Sequence, residues 1–213
     1  MYAMKLTRKK VLSIFVLILF SGSILNFAAS IFMQPSNNNT SMTDIVVMET
    51  SMGTIEITLN REKAPITVEN FVGYVEDGFY DGLCFHRVIQ GFMIQGGGFY
   101  PNATYKQAGD PIQIESSNGL KNLKGAIAMA RSSDPNSATS QFYINTVDNP
   151  SLDYPSFDGY GYTVFGTVTE GLDVVEAIGS VATDTRETPY GDIPDWPLEQ
   201  VEIIRVYMKE DTS

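Results

Sequence analysis

The alternation of apolar and polar positions predicts a chain built mainly of short strands. Apolar and polar residues are mixed around Phe85, His86, Arg87 and Val88, which predicts a half-buried strand. Residues 45–49 and 54–59 flank Ser51-Met52-Gly53 and predict a hairpin. Further strands are predicted at residues 83–89, 92–95, 112–115, 126–130, 142–145, 162–168 and 201–206.

Two stretches follow a helical period instead. Pro65 opens the first, which Asp77-Gly78 ends, and residues 171–178 form the second. Their apolar residues are spaced as one helix face in each case: Val68, Phe71, Val72 and Val75, then Leu172, Val175 and Ile178. Many short strands with only two helices favour an antiparallel barrel or sandwich.

The N-terminal 33 residues have a different composition. Residues 1–10 are basic, and residues 11–33 contain no charged side chain. An apolar helix of about 20 residues spans a bilayer, which favours a membrane anchor over the alternative, a signal peptide cleaved near Ala28-Ala29-Ser30. The basic flank should stay in the cytoplasm. We therefore expect a membrane-anchored or exported protein whose following domain is extracytoplasmic.

A polar tract separates this segment from the rest of the chain. Residues 34–43 contain a proline and no apolar period, which predicts a flexible linker. A single domain is predicted over residues 44–208, with a short tail at residues 209–213. Glycosylation patterns begin at Asn38, Asn39 and Asn102, but three-residue matches arise often by chance.

The predicted domain is strongly acidic. The first acidic residue is Asp44, and four of the 14 basic residues precede it, so residues 44–213, the domain with its short tail, have 10 basic against 25 acidic residues and a net charge of −15. Nucleic-acid binding requires basic side chains that neutralise phosphates. The charge therefore excludes nucleic acid as a partner.

The chain has one cysteine, Cys84, and one histidine, His86. An intramolecular disulfide is impossible, and one Cys with one His cannot supply the usual zinc ligands. We interpret Cys84 as a small buried apolar residue and His86 as a structural histidine. No metal and no cofactor are expected.

The most informative run is residues 85–98, FHRVIQGFMIQGGG. Its residues alone leave two interpretations open: a site for a mostly apolar ligand, or a solvated Arg87 beside core residues. The run resembles the signature of the cyclophilins, the peptidyl-prolyl cis-trans isomerases. The resemblance continues through GAIAMA at 125–130, SQFYIN at 140–145 and VFG at 164–166, and it covers residues 44–208.

The resemblance implies both a fold and an activity. Cyclophilins form a closed eight-stranded antiparallel β-barrel capped at its ends by two α-helices, so a mainly β fold of that kind is expected. The implied reaction is rotation of X-Pro bonds in proline-containing polypeptide clients, by a monomer without a cofactor. The alternative is a cyclophilin-like chaperone or binding module that recognises proline-containing segments without useful turnover.

The resemblance also assigns site residues. Arg87 stands at the family's catalytic arginine, and Gln95 matches the glutamine that orients it. The other matches are expected to bind substrate: Phe92, Met93 and Leu152 as an apolar floor, Ala130 and Gln141 in the neighbouring groove, and Tyr143 against the proline ring. Gly96-Gly97-Gly98 is interpreted as turn geometry, because neither the lysine nor the helix of a phosphate loop follows it.

Several positions depart from the pattern of many members. Arg131 replaces the asparagine that often follows the groove alanine, which should alter contacts to the peptide backbone. Tyr162 stands where many eukaryotic members have a pocket histidine, and both Arg131 and Tyr162 are expected to bind substrate. Ser151 occupies the position of the tryptophan on which cyclosporin affinity largely depends, so weak cyclosporin binding is expected.

Overall fold

The structure, a computed structural model, describes residues 44–210. Within that range no helix is both long and apolar enough to cross a membrane. The predicted anchor or signal peptide at residues 1–33 and the linker at residues 34–43 lie outside the described residues, as do the last three residues of the predicted tail.

The described residues contain eleven strands, two α-helices and two short 3-10 helices. The 3-10 helices are Ser116–Asn118 and Pro150–Leu152. The remaining elements are β1 (Ile45–Thr50), β2 (Gly53–Leu59), α1 (Pro65–Glu76), β3 (Leu83–Cys84), β4 (Arg87–Ile89), β5 (Met93–Gly96), β6 (Ala126–Met129), β7 (Phe142–Asn145), β8 (Val164–Glu170), α2 (Leu172–Ile178), β9 (Thr183–Arg186), β10 (Ile193–Pro197) and β11 (Glu202–Met208).

Nine of these strands form one antiparallel sheet in the order β3-β11-β1-β2-β8-β6-β7-β5-β4. The expectation of a mainly β fold with two helices is confirmed, but the expectation of a closed eight-stranded barrel is wrong. The sheet curls as an open half-barrel, and its edge strands β3 and β4 do not pair with each other.

The sheet stays open because the predicted strand 83–89 breaks in the middle. β3 pairs with β11, whereas β4 pairs with β5. Between them the Phe85 N–H donates to the Val201 carbonyl and the His86 N–H donates to the Gln95 carbonyl. Phe85 and His86 therefore carry the chain from one partner strand to another, and a single continuous ladder does not form.

The main core lies on the inner face of the curled sheet, where α1 packs. Phe71 of α1 is fully buried, and its ring centroid lies 5.2 Å from that of Tyr80 and 5.1 Å from that of Phe165. Phe142 meets the Phe71 ring edge-on at 5.7 Å. Such aromatic pairs stabilise a core beyond the area they bury.

The predicted strand at residues 112–115 is wrong, and the segment caps α1 instead. Only an isolated bridge joins Ile112 to Ala138. The Glu115 carboxylate accepts hydrogen bonds from the backbone N–H groups of Ile66, at 3.1 Å, and Thr67, at 2.8 Å. Backbone N–H groups in the first turn of a helix have no partner within the helix, so Glu115 satisfies two of them. Its negative charge also interacts favourably with the helix dipole.

The β9–β10 hairpin was not predicted. It contains Pro194 and Pro197, which cannot donate to a ladder and which weaken a strand pattern in sequence. Trp196 fixes the hairpin to the domain: it is 2% exposed and belongs to an outer cluster with Cys84, Phe99 and Ala103. Cys84 is fully buried, and burial raises the pKa of its thiol to about 12.

His86 is enclosed by this outer cluster. Its ring lies 4.8 Å from the Phe99 ring and 6.0 Å from the Trp196 ring. The buried Nδ1 has no hydrogen-bond partner among the described residues. Burial lowers the pKa of His86 to about 4. The Cys84 carbonyl and the Gln141 side chain favour protonation, but the effect of burial is larger. The imidazole is therefore neutral at pH 7.

This burial predicts acid destabilisation. Below pH 6.5 unfolded His86 takes up a proton, whereas folded His86 stays neutral until about pH 4. Lowering the pH from 7 to 5 should reduce the free energy of unfolding by about 2 kcal/mol more in the wild type than in His86→Gln. Urea denaturation at both pH values measures this difference, and equal losses in the two proteins would contradict it.

Candidate active site

The register of three strands aligns the polar candidates in one row. Arg87 of β4 lies opposite Gln95 of β5, and Gln95 lies opposite Tyr143 of β7. Side chains on a strand alternate between faces. Their chain neighbours Val88, Ile94 and Ile144 are buried in the main core. The row therefore lies on the outer face of the sheet.

An apolar floor continues that outer face. Met93, Ala126, Ala128, Tyr143 and Val164 form a second buried cluster, separate from the main core. Beside it lies an open cleft of about 210 Å³. Nine of the ten predicted site residues line this cleft: Arg87, Phe92, Met93, Gln95, Ala130, Arg131, Tyr143, Leu152 and Tyr162.

The tenth predicted residue, Gln141, lines a neighbouring groove that also contacts Gln95, Ala130 and Arg131. Hydrogen bonds connect the two clefts. Arg87 Nη1 approaches Gln95 Oε1 at 3.5 Å, and Gln95 Nε2 donates to Gln141 Oε1 at 3.0 Å. Because the Gln95 amide gives its N–H to Gln141, its oxygen faces the guanidinium, where it can orient Arg87.

The glycine run makes room for this contact. A Cβ on Gly98 would lie 2.8 Å from Gln141 Cδ, and one on Gly97 would lie 2.7 Å from the Ser140 carbonyl oxygen. Gly97 also has φ +84°, which side-chain-bearing residues rarely adopt. The run therefore allows close approach between β5 and the segment that precedes β7.

The Tyr143 hydroxyl is paired inside the domain. It donates to Asn122 Oδ1 at 2.8 Å, and burial raises the tyrosine pKa well above its usual value. Asn122 is held in turn by Asp153 Oδ1, which accepts from its backbone N–H at 2.7 Å. Asn122 was not predicted, because its link to Tyr143 joins positions that no sequence motif connects.

Arg131 lines the cleft, but its guanidinium is directed to the loop before β8. Its side chain is 3% exposed, and Nε and Nη2 both donate to the Gly161 carbonyl, at 3.0 and 2.8 Å. It also pairs with Asp158, which lowers the carboxyl pKa to about 2, and it stacks on Tyr162 at 4.4 Å. Arg131 thus holds the Tyr162 wall of the cleft.

Asp195 is an acidic neighbour of Arg87 that the sequence did not reveal. Its Oδ2 lies 3.7 Å from Arg87 Nε. The residue belongs to β10, in the hairpin that the hydropathy pattern missed. No local signal identifies it, since the contact joins strands more than one hundred positions apart in the chain.

The cleft is suited to binding and polarisation rather than to proton transfer. The cationic side chains that line it, Arg87 and Arg131, are both arginines, a residue type that is not deprotonated in proteins. Cys84 and His86 are buried outside the residues that line it. Among residues 44–210, no three His, Cys, Asp or Glu side chains are grouped to hold a metal ion. The arrangement can seat an apolar group beside a fixed hydrogen-bond donor.

Comparisons with known proteins agree on one family. Residues 45–208 match the family described as cyclophilin type peptidyl-prolyl cis-trans isomerase/CLD. The chain is 49% identical to peptidyl-prolyl cis-trans isomerase B of Escherichia coli over 152 residues, which cover 70% of this chain and 92% of that protein. It is also 49% identical to peptidyl-prolyl cis-trans isomerase A of Dickeya dadantii over 153 residues, 72% of this chain and 80% of that protein.

Solved structures support the fold. A cyclophilin type peptidyl-prolyl cis-trans isomerase of Cryptosporidium parvum, crystallised in the presence of the dipeptide Ala-Pro, superimposes with a TM-score of 0.66 at 25% identity. The match covers 78% of this chain and 99% of that one.

Two neighbouring glycines should respond differently to alanine. Gly97→Ala meets backbone at a positive φ, so it should lower the free energy of unfolding by at least about 2 kcal/mol. Gly98→Ala meets only the flexible Gln141 side chain, so stability should change by less than about 1 kcal/mol. In Gly98→Ala the Gln95 side-chain amide resonance should shift as its acceptor moves. Urea denaturation and ¹⁵N NMR measure both effects; an unmoved Gln95 resonance would contradict the contact.

Proposed function

We propose a catalytic site and a cellular setting for this chain, which belongs to the cyclophilin-type peptidyl-prolyl cis-trans isomerases. The predicted family and enzyme class are confirmed by the family match and by relatives with about half of their residues identical. The chain is therefore a peptidyl-prolyl cis-trans isomerase. The roles of individual residues are our proposal.

Cis-trans isomerisation neither makes nor breaks a covalent bond. It requires only that the X-Pro amide twist out of its plane. Resonance gives rotation about the peptide bond a barrier of about 18–20 kcal/mol. In the twisted state the prolyl nitrogen regains its lone pair and can accept a hydrogen bond. A site that donates to that nitrogen in the twisted state more strongly than in either planar state lowers the barrier.

Arg87 is our proposed donor. The observation that carries the proposal is that Arg87 donates to the Gln95 oxygen and lines the same cleft as the apolar floor. Phe92, Met93, Leu152 and Tyr143 would enclose the proline ring, which fixes the nitrogen relative to the guanidinium. Gln95 would orient Arg87 and the substrate carbonyl. Arg suits this task because its charge is permanent and its donors form a rigid fork.

The substrates we propose are proline-containing polypeptides. The Ala-Pro dipeptide named for the Cryptosporidium parvum structure supports this class. Ala130 and Gln141 border the groove beside the proposed proline pocket and would hold the residues that flank the proline. The acidic domain would favour neutral or basic segments through long-range steering.

We further propose that the domain acts outside the cytoplasm. The support is the basic and apolar composition of residues 1–33 followed by the polar residues 34–43. Protease protection of the full chain in spheroplasts tests the location. Added protease should degrade the domain while cytoplasmic proteins stay intact. A domain that survives as the cytoplasmic proteins do would contradict an extracytoplasmic role.

Arg87→Ala tests the proposed donor. Removing one preorganised donor typically costs about 10²–10³ in rate, so isomerisation of an X-Pro peptide, measured by NMR exchange, should fall by that factor. Peptide binding should change little, because the apolar floor remains. Arg87→Lys should also lose most activity, since it keeps the charge but not the fork.

Arg205→Ala is the matched control, because it removes an exposed arginine of β11 outside the cleft. It should leave the rate unchanged. Wild-type activity in Arg87→Ala would contradict the assignment. A wild type that binds the peptide without accelerating exchange would instead favour the non-catalytic binding module.

Cyclosporin binding should be weak. Ser151, an exposed residue of the Pro150–Leu152 turn, offers a hydroxymethyl group where an indole would provide apolar area. Indole burial is among the largest apolar contributions a side chain makes. Isothermal titration calorimetry measures the affinity, and a nanomolar dissociation constant would contradict this expectation.

A further inference from the structure

We infer that Asp195 is a positioning residue that holds Arg87 in its working orientation. The inference rests on the proposed role of Arg87. Asp195 lies outside the cleft, since neither the residues that line it nor those that line the neighbouring groove include it. It would act on the reaction through the guanidinium rather than by touching substrate.

Two contacts hold the guanidinium at opposite ends. Asp195 Oδ2 lies 3.7 Å from Nε, and Gln95 Oε1 lies 3.5 Å from Nη1. One contact alone would leave the planar group free to rotate about its stem. Two contacts from different strands restrain the plane, and they leave Nη2 without a partner among the described residues. That free nitrogen is the donor available to a prolyl nitrogen.

The backbone of the hairpin is shaped to deliver this carboxylate. Ile193 pairs with Arg186 and Trp196 with Asp184, so β10 carries one extra residue between the two pairs. Such bulges re-aim a side chain. Asp195 lies in this bulge with φ +61°, a left-handed conformation. Asp and Asn adopt it more readily than other side-chain-bearing residues, and of these two only Asp carries a negative charge.

Trp196 fixes the position of the bulge. The indole is 2% exposed, and its Nε1 donates to Gln200 Oε1 at 3.1 Å. Its ring packs 5.8 Å from Phe99. The next residue after Asp195 is therefore packed against the domain, which keeps the backbone of Asp195 beside Arg87.

The expected effect is modest, because the pair is partly solvated. The side chains of Arg87 and Asp195 are 36% and 37% exposed. Exposed ion pairs of this kind are weak and are screened by salt. Loss of the pair should therefore reduce isomerisation about two- to five-fold rather than abolish it.

Asp195→Asn is the test, in the full chain, because Asn tolerates the same φ and removes only the charge. Asp192→Asn is its matched control: Asp192 is an exposed acid of the same hairpin with no ion pair within residues 44–210. Asp195→Asn should slow exchange of an Ala-Pro peptide about two- to five-fold. Asp192→Asn should not.

The ¹⁵Nε resonance of Arg87 reports positioning directly. In Asp195→Asn its order parameter should fall and its shift should move, whereas Asp192→Asn should leave both unchanged. Salt should slow the wild type but not Asp195→Asn, since only the wild type has a pair to screen. An unchanged rate together with an unchanged Arg87 signal would overturn the inference, as would a slower rate without a change in that signal.

Emission of Trp196, the single tryptophan, shows whether the hairpin remains docked. If the emission of Asp195→Asn shifts, Asp195→Gly, which also tolerates the positive φ, replaces it in the same measurements. The two proposals fail separately. Full activity in Arg87→Ala would remove the proposed catalytic role, while the Arg87 ¹⁵Nε signal would still show whether Asp195 orders the guanidinium.

Discussion

The antiparallel register of β4, β5 and β7 is the constraint on which the rest of the site depends. Because side chains alternate between faces, the register that buries Val88, Ile94 and Ile144 in the main core also places Arg87, Gln95 and Tyr143 together outside. A slip of one residue would exchange the two sets. The same register is therefore required for core packing and for assembly of the site. The packing of the inner face maintains the arrangement of Arg87, Gln95 and Tyr143 on the outer face.

Around this row, each side chain is held by a different part of the fold. Gln95 is oriented through Gln141, whose approach depends on the absence of a side chain at Gly98. Tyr143 is anchored through Asn122, and Arg131 holds the loop that carries Tyr162. The site is thus preorganised by contacts outside the cleft, as expected for a catalyst that works by positioning and electrostatics rather than by covalent chemistry.

Much of this was predictable because the chemistry is concentrated in local runs. Residues 85–98 contain Arg87, Phe92, Met93 and Gln95, and the resemblance of this run to the cyclophilin signature is what identified them. The closed barrel that the resemblance implied was wrong, since nothing in the sequence of residues 83–89 signals the break between β3 and β4. Asp195 could not be predicted for a related reason: its contact depends on a bulge in a proline-containing hairpin that has no clear hydropathy signal.

The central claim is that the outer face of the sheet presents Arg87 to a proline seated on the apolar floor. A crystal structure of the protein with an Ala-Pro peptide tests it most directly. The account predicts the proline ring against Phe92, Met93 and Tyr143, with a guanidinium nitrogen of Arg87 within about 3.5 Å of the prolyl amide. A proline bound elsewhere, or bound here with the guanidinium turned to solvent, would contradict it.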